Sequence, residues 1–484
     1  MTNLADIVTA LRREDLVLSA PSDSFALTGI TDDTRSLEPG MLYVAVRGTQ
    51  TDGHRFVPEA VKRGAAALVV ENPETAGIPE IVVRDSRRAA GAAARAWYSR
   101  PADRLTLLAV TGTNGKTTTT ALARHLFNAG NTAGSIGTLG AFDGKGEAIP
   151  STAGSLTTPG PVDLQATLAQ MVDRGVTHVV MEASSHSLDQ RRLDDLVFGA
   201  AIFTNLTRDH LDYHHTMDDY LAAKLRLRGL LGLTGQEIVN ADDPAWQAIP
   251  PGSRRISFGV HQAADVRAGE LVLHSAGASF QCTTPWGAAP VRLPLLGDYN
   301  VANALGAAAA ALALGRPFAE VVDRLHHAPQ VPGRMELLVD QPFVVLRDYA
   351  HTPDALERAL SALRPLTTGR LLVVFGCGGD RDKGKRPVMG RIATELSDLP
   401  IVTSDNPRTE DPDAIIDDVE RGMGAKPHRR MADRREAIHA ALNEAQPGDT
   451  ILLAGKGHET YQVIGRDKLP FDERAIVLDG LSRR

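Results

Sequence analysis

Thr111-Gly112-Thr113-Asn114-Gly115-Lys116-Thr117-Thr118 follows a short apolar run at 104–110 and precedes a stretch of helical character at 119–129. An apolar strand, a glycine-bearing turn and a helix in that order predict a phosphate-binding loop. Gly112 and Gly115 let backbone amides approach phosphate oxygens, and the helix start adds its partial positive charge. Lys116 supplies a mobile ammonium, and the hydroxyl of Thr117 can hold magnesium. A tight strand-to-helix turn made for its own shape would use the glycines but would need neither Lys116 nor Thr117. In the commonest form of this loop a glycine stands about five residues before the position of Gly115. Val110 stands there instead, so Gly112 must take over that role.

A chain of 484 residues exceeds what one core supports and predicts division into three domains. The hydrophobic fraction of 43%, the formal charge of -7 and the lack of a long basic run argue against a membrane span and a nucleic-acid-binding face. Cys282 and Cys377 are far apart, in no metal-type spacing, and read as core thiols. The amino-terminal Met-Thr-Asn-Leu-Ala-Asp lacks a basic segment followed by an apolar one, so no secretory signal is expected and the cytoplasm is the expected location.

The first hundred residues alternate predicted strands at 41–46, 66–70 and 81–83 with helices at 56–63 and 86–98, a small α/β domain. Two polar turns in it, Thr31-Asp32-Asp33-Thr34-Arg35 and the segment 47–54 containing Thr49-Gln50-Thr51, could offer hydroxyls, amides and a guanidinium to a phosphorylated ligand. Taken alone they are weak signals, and loops that are polar because they are exposed are the better reading of them. Pro101-Ala102-Asp103 reads as a linker.

Predicted strands at 178–182, 201–204 and 237–240 continue the rhythm of a doubly wound, mainly parallel sheet, whose ligands bind beyond the carboxyl ends of the strands. Those ends carry Glu182-Ala183-Ser184-Ser185-His186 and Asn205-Leu206-Thr207-Arg208-Asp209-His210. Magnesium takes hard oxygen ligands and keeps waters, so Glu182, the Thr117 hydroxyl and ATP oxygens form a sufficient set. His210 could ligate a second ion or serve as a structural hydrogen-bonding group. Short β-like runs fill 269–296, and an alanine-rich helix at 300–314 closes the domain. His326 to Gly333, rich in proline, marks a second boundary. Beyond it, predicted strands at 343–347, 371–375, 399–403 and 450–454 each end in a polar turn, and no repeat is evident.

The loop at 111–118, Glu182-Ala183-Ser184-Ser185-His186, the run Thr204 to Asp212, Gly297 to Asn303 and the segment opening at Asp348 fall in an order that resembles the Mur ligases, ATP-dependent amide-forming enzymes of bacterial peptidoglycan precursor synthesis. The resemblance spans nearly the whole chain. It implies an α/β chain of three domains: a small UDP-sugar-binding domain at 1–102, a central P-loop ATPase domain with a mainly parallel sheet at 103–332, and a Rossmann-like ligase domain at 333–484. Leu156-Thr157-Thr158, the first-domain turns and above all Asp405-Asn406-Pro407-Arg408 resemble the step that adds meso-2,6-diaminopimelate to UDP-N-acetylmuramoyl-L-alanyl-D-glutamate. One departure is visible: the family's Asp-Ser-Arg turn is Asp33-Thr34-Arg35 here, with the hydroxyl retained.

By that resemblance ATP would contact Gly112, Thr113, Asn114, Gly115, Lys116, Thr117, Thr118 and Asn303. Arg334 and Asp348 would reach it on domain closure. Magnesium ions would sit on Thr117, Glu182, His210 and Lys224, the last as a carbamate, although a lysine in the helix around 218–228 reads by itself as solvated. Lys116 and the ions would neutralise charge during phosphoryl transfer. The UDP-sugar would touch Asp32, Thr34, Thr49, Gln50, Thr51, Leu156, Thr157, Thr158, Ser184, Gln190 and Arg192. Diaminopimelate would be held by Arg381, Asp405, Asn406, Pro407, Arg408, Gly455 and Glu459. The expected partners are these small molecules alone, with no nucleic acid or membrane, and the expected state is a monomer. The lysine-adding ligase of the same family, a folylpolyglutamate synthetase and a non-catalytic nucleotide-binding protein are the alternatives.

Overall fold

The computed structural model describes residues 2–49, 51–74, 76–151, 156–250, 252 and 254–483. The chain divides into two compact units, Met1–Phe258 with Gly306–Pro317, and Gly259–Leu305 with Phe318–Arg484.

The first unit opens with a helix, Leu4–Arg13, whose apolar residues Leu4, Ile7, Val8 and Leu11 recur at helical spacing and are buried. Asn3 caps it, accepting from the amide of Asp6 at 2.9 Å, while the Asp6 carboxylate accepts from the amide of Asn3 at 3.0 Å. Neither this helix nor the strands Val17–Ser19 and Gly29–Thr31 were among the predicted elements. They complete a five-stranded sheet in the order Val17–Ser19, Glu80–Val83, Ala67–Val70, Met41–Val44, Gly29–Thr31, parallel except at its first pairing. The helix Ser86–Trp97 packs its alanines on this sheet together with Leu4–Arg13. Gly91, on that helix, has no room for a side chain: a Cβ there would lie 1.8 Å from Asp195 Oδ2. Pro101–Arg104 is a packed 3-10 turn and not the expected linker, because Pro101 and Ala102 are buried and Ala102 joins the next core with Leu107, Leu164 and Leu168.

That core lies under the second sheet of the first unit. Its strands run in the order Arg255–Gly259, Leu231–Asn240, Phe198–Phe203, Thr106–Thr111, His178–Glu182, Ala133–Gly137, Gly140–Phe142, Ala148–Ile149. The first six are parallel, and the last two add as an antiparallel ribbon. From Thr106–Thr111 the chain crosses first to one side, at Ala133–Gly137, and later to the other, at Phe198–Phe203. The carboxyl end of Thr106–Thr111 therefore stands where strand order reverses, the place at which open parallel sheets take ligands. The helix after it spans Lys116–Phe127 and so starts three residues before the predicted 119, making Lys116 its first residue.

The second unit contains three antiparallel strands, Val266–His274, Gly277–Thr284 and Gly287–Leu293, with Cys282 buried. Its larger sheet runs Glu336–Val339, Val344–Asp348, Thr450–Ala454, Leu371–Phe375, Leu399–Val402, Arg429–Arg430, again parallel after the first pairing. Helices Pro353–Leu363, Lys385–Leu396 and Pro412–Glu420 cover one face, and Arg434–Glu444 with Glu473–Ser482 cover the other. Burial on both faces explains why Leu371–Phe375 reads as an unbroken apolar run. Cys377, just beyond it, is buried and makes no disulfide. Among the described residues no helix is long and apolar enough to cross a membrane.

Candidate active site

The glycine-bearing loop is held in shape by the end of the neighbouring strand. Thr204 Oγ1 donates to Asn114 O at 2.7 Å, Asn205 Oδ1 accepts from the Asn114 amide at 2.9 Å, and the Thr113 amide donates to Asn205 O at 2.7 Å. Gly112 is where this approach is tightest: its φ is +150°, and a Cβ would stand 1.9 Å from Thr204 Oγ1. That contact is the physical reason a glycine is needed at 112. Lys116 Nζ donates to Gly112 O at 3.0 Å and to Thr113 O at 2.7 Å, folded back over the loop. Thr113 is buried within the loop, and Thr117 and Thr118 are buried in the first turn of the helix.

Two expected ligand residues flank the loop. Glu182 is 1% exposed, and its carboxylate accepts from the amide of Thr138 at 2.8 Å and from Thr138 Oγ1 at 3.0 Å. Among the described residues no lysine, arginine or histidine pairs with it. A buried carboxylate in that state fits a cation ligand. Lys224 is 1% exposed, not solvated, because Tyr220, Ala223 and Lys224 form the inward stripe of the helix Met217–Leu225. Its Nζ donates to Gly112 O at 2.7 Å, and burial, then the Lys116 charge, push its amine well below the usual lysine value.

His210 caps the short helix Leu211–His214 and is 45% exposed at its side chain. It belongs to a cluster that the sequence did not announce, with His186 at 4.8 Å between ring centroids and His214 at 5.5 Å from His186. Burial, then the neighbouring histidines, lower His186 to about 4, and burial lowers His210 and His214 as well. Neutral imidazoles keep a lone pair for an ion. The four-residue spacing of His210 and His214 was the available signal.

The residues expected at the peptide end of the sugar substrate converge on Glu182. Thr158 Oγ1 donates to Glu182 O at 2.9 Å, the Ser184 amide donates to Thr158 Oγ1 at 3.3 Å, and Thr157 Oγ1 lies 3.3 Å from Thr138 Oγ1, whose proton goes to Glu182. Arg192 bridges Thr158 O at 2.9 Å and Gln190 Oε1 at 2.6 Å. Asp32 stands near Arg192, its carboxyl raised to about 6 chiefly by burial, so this row runs from the first-domain turn to the parallel sheet. Thr34 is half-buried, Thr49, Thr51 and Leu156 are exposed, and Gln50 lies outside the described residues.

In the second unit Asp348 is raised to about 6 by burial and accepts from the Met335 amide at 2.6 Å. Arg334 lies 4.6 Å over the ring of Tyr349, and Asn303 donates to Asn300 Oδ1 at 3.1 Å. The turn at 405–408 forms a second cluster. Asp405, Asn406 and Pro407 are buried, and Arg408 adopts φ +52°. Arg408 Nη1 donates to Gly379 O at 2.8 Å, while its Nε and Nη2 make no hydrogen bond among the described residues. A Cβ on Gly378 would meet Arg408 Nη1 at 2.9 Å and Arg381 Cγ at 3.9 Å, so the two arginines share one neighbourhood. Glu459 Oε2 accepts from Asn406 Nδ2 at 2.8 Å. Behind them Arg386, 1% exposed at its side chain, pairs with Glu410 and Asp418, each at 2.9 Å, and holds Glu410 down to about 2.

Three family descriptions match in chain order: the Mur ligase family catalytic domain at 26–103, the Mur ligase middle domain at 110–311 and the Mur ligase glutamate ligase domain at 333–457. The UDP-N-acetylmuramoyl-L-alanyl-D-glutamate–2,6-diaminopimelate ligase of Synechococcus elongatus is 45% identical, covering 100% of this chain and 99% of its own. The chain belongs to the Mur ligase family. The ligase of the same name from Geobacillus kaustophilus is 44% identical over 93% of this chain and 94% of its own. A solved structure of a UDP-N-acetylmuramoyl-L-alanyl-D-glutamate–2,6-diaminopimelate ligase is 34% identical, with a TM-score of 0.66, covering 94% of this chain and 95% of that one.

For a Mur ligase, the residues beside the loop fit a metal held largely by substrate. Among the described residues no three histidine, cysteine or acidic side chains converge as a cation cage. Glu182, the Thr117 hydroxyl and the histidines near the loop offer single ligands, which suits an ion completing its shell with phosphate oxygens and water.

Proposed function

We propose that this Mur ligase joins meso-2,6-diaminopimelate to UDP-N-acetylmuramoyl-L-alanyl-D-glutamate with consumption of ATP, in the cytoplasm, as a monomer. Residues 1–102 would bind the UDP-sugar, 103–332 ATP, and 333–484 the amino acid. The observation that carries the choice of amino acid is the Arg408 guanidinium, whose Nε–Nη2 edge is available beside Arg381. Two parallel hydrogen bonds from that edge match a carboxylate, which diaminopimelate carries on its distal carbon and lysine does not.

The glutamyl carboxylate attacks the γ-phosphorus of ATP, ADP departs, and an acyl phosphate forms. The amine of the amino acid then adds to the acyl carbon, and the tetrahedral intermediate expels phosphate and loses a proton to solvent. Thr157, Thr158, Ser184, Gln190 and Arg192 orient the peptide end beside Glu182. Asp32, Thr34 and the Thr49-Gln50-Thr51 turn take the uridine end. The backbone of Gly112 to Gly115 and the Lys116 ammonium receive the phosphates, Lys116 turning from the loop carbonyls to them. Asn303, Arg334 and Asp348 are the further ATP contacts. Thr117, Glu182, His210 and Lys224, the last as a carbamate, would hold magnesium, which would supply charge neutralisation at the transferring phosphoryl group. The lowered pKa of Lys224 supports the carbamate, since the neutral amine is the form that captures carbon dioxide.

Isotope-labelled bicarbonate should give the unmutated enzyme a carbamate carbon resonance that Lys224→Ala lacks, and Lys224→Ala should lose at least about a hundredfold in kcat. An unmutated enzyme without that resonance, or full turnover by Lys224→Ala, would refute the carbamate. For the reaction itself, phosphate release from ATP should require both the UDP-muramoyl dipeptide and diaminopimelate. Release with a folate and glutamate in their place would favour the folylpolyglutamate synthetase reading.

A further inference from the structure

Lys456 is a buried cation that the chemistry above does not use. It stands between Gly455 and Gly457, directly after the strand Thr450–Ala454, and is 0% exposed. Its ammonium lies 3.4 Å from Asp405 Oδ1 and 3.2 Å from Glu459 Oε2 and donates to Asn406 Oδ1 at 3.0 Å. Each of its three protons has an acceptor. The arrangement fixes the Asn406 amide, because Oδ1 also accepts from the Val463 amide at 2.9 Å and Nδ2 is thereby turned onto Glu459 Oε2 at 2.8 Å. One buried charge thus sets both Asn406 and Glu459. Arg408 is built onto the same turn, with Nη1 3.5 Å from the carbonyl of Asn406.

We propose that Lys456 is a positioning residue that sets the stereochemical choice at the distal carbon of the added diamino acid, an inference that rests on the substrate reading above. That carbon carries a carboxylate, an ammonium, a hydrogen and the chain. Arg408 receives the carboxylate, Glu459 receives the ammonium, and the chain arrives from the reacting end. Three fixed points distinguish a carbon from its mirror arrangement, whereas a mobile second point lets both be accommodated. Lys456 supplies the fixity: without it Asn406 can flip, and Asp405 and Glu459 lose their common counter-charge.

The test is the ratio of kcat/KM for meso-diaminopimelate to that for the L,L isomer, measured in full-length Lys456→Met beside the unmutated enzyme. The variant should raise the KM for meso-diaminopimelate about tenfold or more, lower the isomer ratio about tenfold or more, and leave the KM for ATP and for the UDP-dipeptide within about twofold. In an Asn406→Ala background the same change should have a smaller effect, because part of what Lys456 does runs through Asn406 and only its direct hold on Glu459 remains to be lost. A role confined to folding would lower the melting temperature and leave the ratio alone. If Lys456→Met does not fold, Lys456→Arg replaces it, since a longer cation in this enclosed space must displace Asn406 and lower the ratio likewise. An isomer ratio at the unmutated value in the folded variant overturns the proposal while the substrate reading stands. An unmutated enzyme that does not use diaminopimelate removes the substrate reading, and the proposal with it.

Discussion

Glu182→Gln is expected to keep the fold and to lower kcat by about a thousandfold, equivalent to about 4 kcal/mol of transition-state stabilisation. The glutamine has the same shape, and its carbonyl can still accept from the Thr138 amide that Glu182 now engages at 2.8 Å. What it lacks is the charge. A carboxylate that is 1% exposed, beside a phosphate loop and without a cationic partner among the described residues, is placed to neutralise an ion. Steady-state kinetics over a magnesium titration, with a melting curve as control, checks this. Near-normal turnover at ordinary magnesium with an unchanged melting temperature would remove Glu182 from the ligand set.

Arg408→Ala is expected to raise the KM for diaminopimelate by about a hundredfold, within the roughly 2–5 kcal/mol that truncating one partner of a desolvated charge pair costs. ATP binding should be unchanged. The turn should survive, because its backbone is tied independently: the Arg408 amide donates to Val463 O at 3.0 Å, and the Gly465 amide donates to Arg408 O at 2.7 Å. Initial rates over a diaminopimelate series, together with ATP binding by calorimetry, separate the two effects. An unaltered KM would mean that Arg408 serves the turn alone.

The phosphate loop was legible because strand, glycines and lysine are adjacent in sequence and their chemistry is local. Its exact helix start was less so. Thr117 and Thr118 are β-branched, poor helix formers, and read as the end of the loop, whereas burial against the sheet holds them helical from Lys116. The helix Leu4–Arg13 had a readable stripe and cap and went unrecognised among short segments. Lys224 read as solvated because lysine is seldom buried, yet its place one turn after Tyr220 put it on the inward face. The grouping of His186 with His210 and His214, and of Lys456 with Asp405 and Asn406, depends on segments far apart in the chain, which no local pattern reports. Lys456 did leave one trace, a lysine between two glycines just beyond the apolar run 451–454. The packed turn at Pro101–Arg104 misled in the other direction, since a proline followed by charge resembles an exposed joint until the burial of Pro101 and Ala102 is seen.

The most direct test of the proposed reaction is the ratio of kcat/KM for meso-diaminopimelate to that for L-lysine, with ATP and UDP-N-acetylmuramoyl-L-alanyl-D-glutamate saturating. Lysine would leave the Arg408 guanidinium without its carboxylate, and a site built to hydrogen-bond a substrate group rejects the analogue that lacks it. The ratio is expected to be about a thousand or more in favour of diaminopimelate. Comparable values for the two amino acids would contradict the assignment.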